Sequence, residues 1–312
     1  MRRQKVSVIG AGNVGASCAL WLARRGICDL VLVEIPQAKT MPVGKGLDLL
    51  QTGPIEGYNA RIRGNADGSY EGTENSDVVI ITGGLPRKPG MSREDLVGAN
   101  QAVIVDVLNK ALPLSPDAIY IVVTNPLDTM TYLAHKHSKL PKNRIIGQAG
   151  ILDSARMAAF VAQELDVAIE NVQTVVLGGH GDEMVPLPRY STVFGRPLTE
   201  WLPAEKLNAI VERTRKGGGE IVNLLGTSAY YAPGAALAKI AEAVLLDSKL
   251  IASCSTLLTG EYGLNDICFG VPVKLGANGI EEIIEYKLSD DEKAMADKSV
   301  KIIRETMGAL KL

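Results

Sequence analysis

Four short runs of nearly unbroken apolar residues, at 5–9, 30–33, 78–82 and 119–123, punctuate the first half of the chain. A strand covered on both faces reads this way, because neither face has to meet water. Between them, residues 14–25, 92–112 and 128–137 have the length and three-to-four-residue apolar spacing of amphipathic helices. Strands alternating with helices predict βαβ units and a doubly wound parallel sheet, an α/β fold. Beyond about residue 150 the pattern changes. It predicts a helix over 153–165, a strand over 172–177, a Gly- and Pro-rich turn region and long helices over 205–225 and 235–246. Apolar β segments at 251–258 and 267–275 follow, and a charged amphipathic helix over 290–310. With no internal repeat and no low-complexity linker, the expectation is two domains, 1–148 and 149–312, the second an α+β unit packed directly on the first.

Composition narrows the function classes without choosing one. The 312 residues are 46% hydrophobic and 22% charged, enough apolar material for a large core. A net charge of −2 gives no electrostatic reason to expect nucleic acid or an anionic membrane surface as a partner. The basic start is followed by an apolar run only from Val6 to Ile9, too short for a signal-peptide core. No stretch approaches the roughly 18 apolar residues of a membrane span, so a cytoplasmic protein is expected. Cys18, Cys28, Cys254 and Cys268 show neither CxxC nor Cys/His ligand spacing. Neither a metal site nor a disulfide framework is expected, and the thiols read as small buried hydrophobes.

Gly10-Ala11-Gly12-Asn13-Val14-Gly15 matches G-x-G-x-x-G, directly after the first strand and opening the first helix. In that setting Gly10 makes a tight turn, Gly12 lets the backbone approach a pyrophosphate, and Gly15 lets the helix pack on the strand. The helix N-terminus then faces the negative charge. Glu34 ends the next strand, about 20 residues on, where a carboxylate binds ribose hydroxyls and repels a 2′-phosphate. The cofactor expected is therefore NAD rather than NADP. Gly83-Gly84 and Asn125-Pro126 follow the third and fourth strands, at carboxyl ends where open α/β sheets bind ligands. Asn125 has two readings, a turn residue before proline or a group beside the nicotinamide.

The stretch from Leu85 to Asp95 holds two prolines and a glycine, so it reads as an exposed loop. It carries Arg87 and Arg93, whose planar forks suit carboxylates. It is either a solvated basic turn or a lid over a small anionic substrate. Of three histidines, His135 and His137 lie among lysines on a helix and read as solvated surface residues. His180 lies in Gly178-Gly179-His180-Gly181-Asp182 after a buried strand, with room for its ring to meet a ligand or to cap a loop. Asp153 and Arg156, at i and i+3, share a helix face. They form either an inconsequential ion pair or a working pair, Asp153 orienting the His180 ring and Arg156 gripping a carboxylate.

Jointly GAGNVG, PRKPGMSRED, VTNPLD, the segment Leu152-Asp153-Ser154-Ala155-Arg156, GGHGDEMVPLPRYS and SAYYAP are highly specific. Over nearly its whole length the chain resembles the lactate/malate dehydrogenase family, and within it the bacterial, lactate-dehydrogenase-like branch that acts on malate. The resemblance implies an N-terminal Rossmann domain, residues 1–148, a C-terminal α+β substrate domain, residues 149–312, and NAD-dependent interconversion of malate and oxaloacetate. It implies that His180 exchanges the proton of the 2-hydroxyl, that Asp153 orients and stabilises His180, and that Arg156 anchors the C1 carboxylate. Arg93 is implied to polarise the carbonyl oxygen and Arg87 to bind the distal carboxylate, where lactate dehydrogenases carry Gln. Asn125 is implied to hold substrate and cofactor. Gly10, Ala11, Gly12, Asn13, Val14, Gly15, Glu34, Asn100 and the Val123-Thr124-Asn125 backbone are implied to contact NAD. A homotetramer is implied, with a dimer as the other state similar enzymes adopt, a small dicarboxylate as the binding partner and the tricarboxylic acid cycle as the setting. Glu34 stands where the family more often has Asp, residues 36–46 look slightly longer than typical and 224–228 slightly shorter. The competing readings are a lactate or other 2-hydroxy-acid dehydrogenase, an NAD-dependent glycosidase that needs a metal, and a catalytically silent NAD-binding protein.

Overall fold

The structure is a computed structural model and describes residues 2–85 and 92–312. In chain order its elements begin with β1 (Lys5–Ile9), α1 (Asn13–Arg25), β2 (Asp29–Val33), α2 (Met41–Glu56), β3 (Ile62–Gly64), β4 (Val78–Ile81), α3 (Arg93–Leu114), β5 (Ile119–Val122), α4 (Leu127–Ser138) and β6 (Ile145–Gly147). There follow α5 (Gly150–Leu165), β7 (Val172–Gln173), β8 (Val176–Leu177), β9 (Val185–Pro186), β10 (Thr192–Val193), β11 (Arg196–Pro197), α6 (Leu198–Trp201), α7 (Ala204–Leu225) and α8 (Tyr231–Leu245). The chain closes with β12 (Leu250–Thr259), β13 (Asn265–Gly276), β14 (Gly279–Ile283) and α9 (Asp290–Met307).

Strands β6-β5-β4-β1-β2-β3 lie side by side and parallel, and their order reverses beside β1. The doubly wound arrangement expected from the alternating pattern is thus present, with a crevice at the carboxyl ends of β1 and β4. The sheet does not stop there. The antiparallel strands β12, β13 and β14 continue it, with Ser255 of β12 in register with Gly147 of β6. One face of the parallel strands packs on α1 and α8, including Leu22, Leu237 and Ile240. The opposite face packs on α3 and α4, including Ile104, Leu108 and Met130. Helix α8 meets α1 closely because Gly234 has no side chain, since a Cβ there would lie 2.6 Å from the Ser17 Cβ. A separate core joins α5 and α7 through Met157, Val161 and Ile210.

Several elements were hidden from the hydrophobic pattern. Helix α2 contains Pro42, Gly44, Gly46, Gly53 and Pro54, which read as breakers. It forms because Pro42 sits in the first turn, where a missing N–H costs nothing. Gly46 is required there, since a Cβ would lie 2.8 Å from the Gly64 amide nitrogen on β3. The single strand expected over 172–177 is two, β7 and β8, which pair in different small sheets. His135 corrects the expectation of a solvated residue. It points inward from α4, only 5% exposed, and its Nε2 has no hydrogen-bond partner among the described residues. Burial, with Lys136 and Lys142 nearby, lowers its pKa to about 4. The lysines alongside follow the helix surface, whereas the i, i+4 pair Thr131 and His135 turns toward the core.

Candidate active site

The nucleotide loop is built by three glycines for three different reasons. Gly10 has φ +114°, a left-handed conformation that β1 needs to turn off the sheet, and its N–H donates to the Val33 carbonyl at 2.8 Å. Gly15 lies on α1 where a Cβ would run into the Gly10 carbonyl oxygen and approach Thr82 Oγ1 to 2.9 Å. Gly12 faces open space, with no protein atom within 4 Å of where a Cβ would be. Its backbone is therefore free to come close to a ligand at the N-terminus of α1, between Ala11 and Asn13 and Val14. Thr82 at the end of β4 donates its hydroxyl to the Gly10 carbonyl at 2.5 Å, fixing the turn from the neighbouring strand.

Glu34 directly follows β2, and its side chain accepts the Ile35 N–H at 3.0 Å. With Ile35, Tyr70, Gly84 and Val103 it lines a mostly apolar cavity of about 330 Å³ next to Gly10. Such a space suits a planar aromatic base with hydroxyl groups offered to a carboxylate. Lys45 from α2 was not anticipated, for it lies in the helix that pattern concealed. Its Nζ donates to the Ala11 carbonyl at 2.7 Å. Burial lowers its pKa while the Glu34 carboxylate works the other way.

Across the crevice, Asn100 on α3 is wholly buried. Its Oδ1 accepts the Leu85 N–H at 2.7 Å, and its Nδ2 donates to the carbonyls of Leu85 at 3.1 Å and Asn125 at 2.6 Å. The resemblance implies that Asn100 touches NAD. In this structure its amide is engaged with the Leu85 and Asn125 backbone. Thr124, also buried, donates its hydroxyl to the Gly83 carbonyl at 2.5 Å. Val123 continues β5 with its N–H on the Ile81 carbonyl at 3.1 Å, and Asn125 is exposed beyond it. Arg87 lies outside the described residues. Arg93 is placed only as the first residue of α3, after a Ser92 cap whose Oγ accepts the Asp95 N–H at 3.0 Å.

His180 is held by its backbone from three sides. Gly178, at φ +92°, exchanges hydrogen bonds with Gly270 of β13. The Gly179 N–H donates to Ser299 Oγ on α9 at 2.9 Å. The His180 N–H donates to Asp128 Oδ2 on α4 at 2.8 Å. The ring is 19% exposed, and its Nδ1 lies 3.0 Å from Oδ2 of Asp153, which is 2% exposed. A carboxylate can only accept, so Nδ1 carries the proton and Nε2 is left for chemistry. Burial opposes charging of this ring, but the Asp153 carboxylate, its hydrogen bond and Asp128 outweigh it. The net direction is upward, so the protonated form persists above the usual histidine range.

Arg156 lies one turn beyond Asp153 on α5, 11% exposed. Its Nη1 is 3.4 Å from Asp153 Oδ1 and 3.3 Å from the Thr214 carbonyl on α7. Both are long contacts, which leave most of the guanidinium's donors available. Gly217 makes room for it, since a Cβ there would lie 2.7 Å from Arg156 Nε. His180, Asp128, Asn125 and Leu96 line a cavity of about 210 Å³ walled on one side by Ser299 and Ile303 of α9. An imidazole with one ring nitrogen left free, a carboxylate that sets its tautomer, a cationic fork and a Gly-rich loop thus sit at the carboxyl end of one sheet. Among the described residues, no group of three or more His, Cys, Asp or Glu side chains could hold a metal ion.

Asp128, Ser299 and Thr82 were not singled out from sequence. Asp128 stood within the quoted VTNPLD, but only the fold shows its carboxylate reaching the His180 backbone.

Comparison with known proteins agrees over the full length. Residues 4–147 match the lactate/malate dehydrogenase NAD-binding domain, and residues 151–311 match the lactate/malate dehydrogenase α/β C-terminal domain. A malate dehydrogenase of Roseiflexus castenholzii is 55% identical over 310 residues, 99% of each chain. One from Bacillus israeli is 52% identical over 311 residues, again 99% of each. The crystal structure of malate dehydrogenase from Salinibacter ruber superposes with a TM-score of 0.93 at 48% identity, covering 98% of this chain and 97% of that one. A lactate dehydrogenase from Cryptosporidium parvum, solved with lactic acid and NAD, gives 0.94 at 35% identity, covering 99% and 98%. Two family domains that together span nearly every residue, on a fold that brings His180, Asp153 and Arg156 together beside a dinucleotide loop, make this chain a member of the lactate/malate dehydrogenase family.

Proposed function

We infer that the chain catalyses the reversible NAD-dependent oxidation of (S)-malate to oxaloacetate. Full-length identity of 51–55% to malate dehydrogenases supports the substrate. The observation that carries the chemistry is the His180 ring in the cavity wall, its Nδ1 turned to buried Asp153 so that Nε2 is the nitrogen left for substrate. NAD held at the Gly10–Gly15 loop would supply the hydride acceptor for C2 of malate, and NADH the hydride donor in the reverse direction. His180 Nε2 accepts the 2-hydroxyl proton in oxidation and donates it to the ketone oxygen in reduction. Asp153 holds the ring in the tautomer that leaves Nε2 free and stabilises the imidazolium once formed. Arg156 pairs with the C1 carboxylate through its two-pronged fork. From the family resemblance, Arg93 stabilises the oxygen on which charge develops and Arg87 pairs with the distal carboxylate. A monocarboxylate would leave Arg87 without a partner, which disfavours pyruvate.

Gly10–Gly15 would hold the cofactor's pyrophosphate, Glu34 its ribose hydroxyls and Asn125 its nicotinamide end. The Glu34 carboxylate repels a 2′-phosphate, which sets NAD above NADP. Residues 1–148 then serve the cofactor and 149–312 the substrate. Assembly as a homotetramer fits the family and also the outer face of α2, where Val43, Leu47, Leu50 and Ile55 are 40–82% exposed. A cytoplasmic enzyme of the tricarboxylic acid cycle is in keeping with four free, buried cysteines.

The deciding measurement is NADH oxidation with oxaloacetate against pyruvate, repeated with NADPH. Oxaloacetate with NADH is expected to be fastest, and Arg87→Gln to shift preference toward pyruvate. Faster turnover of pyruvate by the unaltered protein would make it a lactate dehydrogenase and remove Arg87 from its assigned role.

A further inference from the structure

Asp128 is a carboxylate with no place in the mechanism above. It is 5% exposed, on α4, and it lines the same cavity as His180. Both of its oxygens accept: Oδ2 takes the His180 N–H at 2.8 Å, and Oδ1 takes the Ser255 hydroxyl at 2.6 Å. Ser255 is itself fully buried, on β12. A lone buried carboxylate is costly, and two donors aimed at its two oxygens favour its ionised form.

We propose that Asp128 is a second positioning carboxylate for His180, fixing the backbone of the ring and supplying negative charge that favours its protonated form. The inference rests on the reading of His180 as the proton-exchanging group. Among the described residues the charged groups around the ring are few. Asp153 and Arg156 face it from α5, Asp128 from α4 and Glu183 from its own loop. Helix α9 faces the cavity with Ser299, Ile303 and Thr306, which carry no charge, and β13 meets the loop through Gly270. Among the described residues, the Asp153 and Asp128 carboxylates thus stand against the Arg156 cation in setting the proton affinity of His180. Burial raises the Asp128 carboxyl overall, with Asp153 adding to it, and the Ser255 hydroxyl, the His180 N–H and the His180 charge offset only part of that. The proton therefore belongs to a coupled cluster whose apparent titration changes when any member is neutralised.

The two directions of the reaction separate this role from plain structural support. Oxaloacetate reduction needs protonated His180 and is lost as pH rises through its pKa. Malate oxidation needs neutral His180 and is lost as pH falls through it. In Asp128→Asn both limbs of kcat/KM should move down by about one pH unit. On the alkaline side reduction then falls about tenfold, while on the acid side malate oxidation rises relative to wild type. A common loss in both directions with unmoved limbs would overturn the proposal. An NMR titration of the His180 ring, one of only three histidines, reads the same shift without turnover. If the wild type shows no activity with either substrate, the functional reading fails, while this titration still decides the role of Asp128. Should Asp128→Asn not fold, the ring is titrated in Asp153→Asn. Retention of a pKa near the ordinary histidine value supports Asp128 as a remaining counter-charge, and a fall well below it refutes it.

Discussion

Replacing His135 with leucine should make the protein more resistant to acid, and the expected size follows from the site. The imidazole is 5% exposed on α4 with Nε2 unpaired, and burial holds its pKa at about 4. In the unfolded chain the ring titrates near the ordinary value of 6.5. As pH falls below about 6.5 the unfolded chain takes up a proton that the folded chain refuses until about 4, so the fold loses stability across that window. The gap corresponds to about 3 kcal/mol by about pH 4, and no further loss arises from this residue below it. Leucine is close in volume and cannot be protonated. His135→Leu should therefore match or exceed wild type at neutral pH, where it also removes an unpaired polar atom worth about 1 kcal/mol. Urea midpoints at fixed protein concentration, between about pH 7 and pH 4, measure the difference. The wild type should lose about 3 kcal/mol more than the variant. Parallel curves for the two proteins would show that the ring reaches water in solution and would refute the reasoning.

Asp153→Asn should lower kcat in both directions by about a hundredfold or more, because an amide can donate to Nδ1 and select the tautomer with Nε2 protonated. Steady-state rates across pH check this, and a change confined to KM would contradict it. Lys45→Met frees the Ala11 carbonyl, whose dipole then faces the nucleotide. NADH affinity, read by fluorescence titration, should fall about fivefold. In Gly15→Ala the new Cβ meets the Gly10 carbonyl and lies 2.9 Å from Thr82 Oγ1. A stability loss of about 2 kcal/mol with weakened NADH binding is expected, read by urea unfolding and the same titration. Unchanged binding would mean the loop relaxes without consequence.

Periodicity located the elements buried on two faces, since β1, β4 and β5 are continuous apolar runs and α1, α3 and α4 repeat with helical spacing. It failed where tertiary contact overrides local preference. Helix α2 is tolerated because Gly46 must approach β3, and no window of sequence records that neighbour. The strands β3 and β6 are three residues each, too short to carry a period. Within the site, residues with chemically unusual settings were legible: His180 between glycines, Glu34 at a strand end, Asp153 and Arg156 one turn apart. Lys45 and Asp128 were not, because their importance lies in partners 34 and 52 positions away. His135 was misread because flanking lysines describe only one side of a helix.

The pairing of β12 with β6 bears on how far this chain can be treated as modular. The two family domains end at residue 147 and resume at 151, which invites expression of either half alone. The junction runs through a shared sheet, with Ser255 opposite Gly147 and Ser255 also bonded to Asp128. An isolated N-terminal half would present Ile145–Gly147 as a bare edge strand, and the Ile146 and Leu127 side chains beside it would meet solvent. It would also lose α8, which covers one face of its parallel strands. Such a fragment has the features of an aggregating edge rather than of a free-standing NAD carrier. Domain grafting or split-reporter designs in this scaffold would do better to open surface turns within either half than to cut between them.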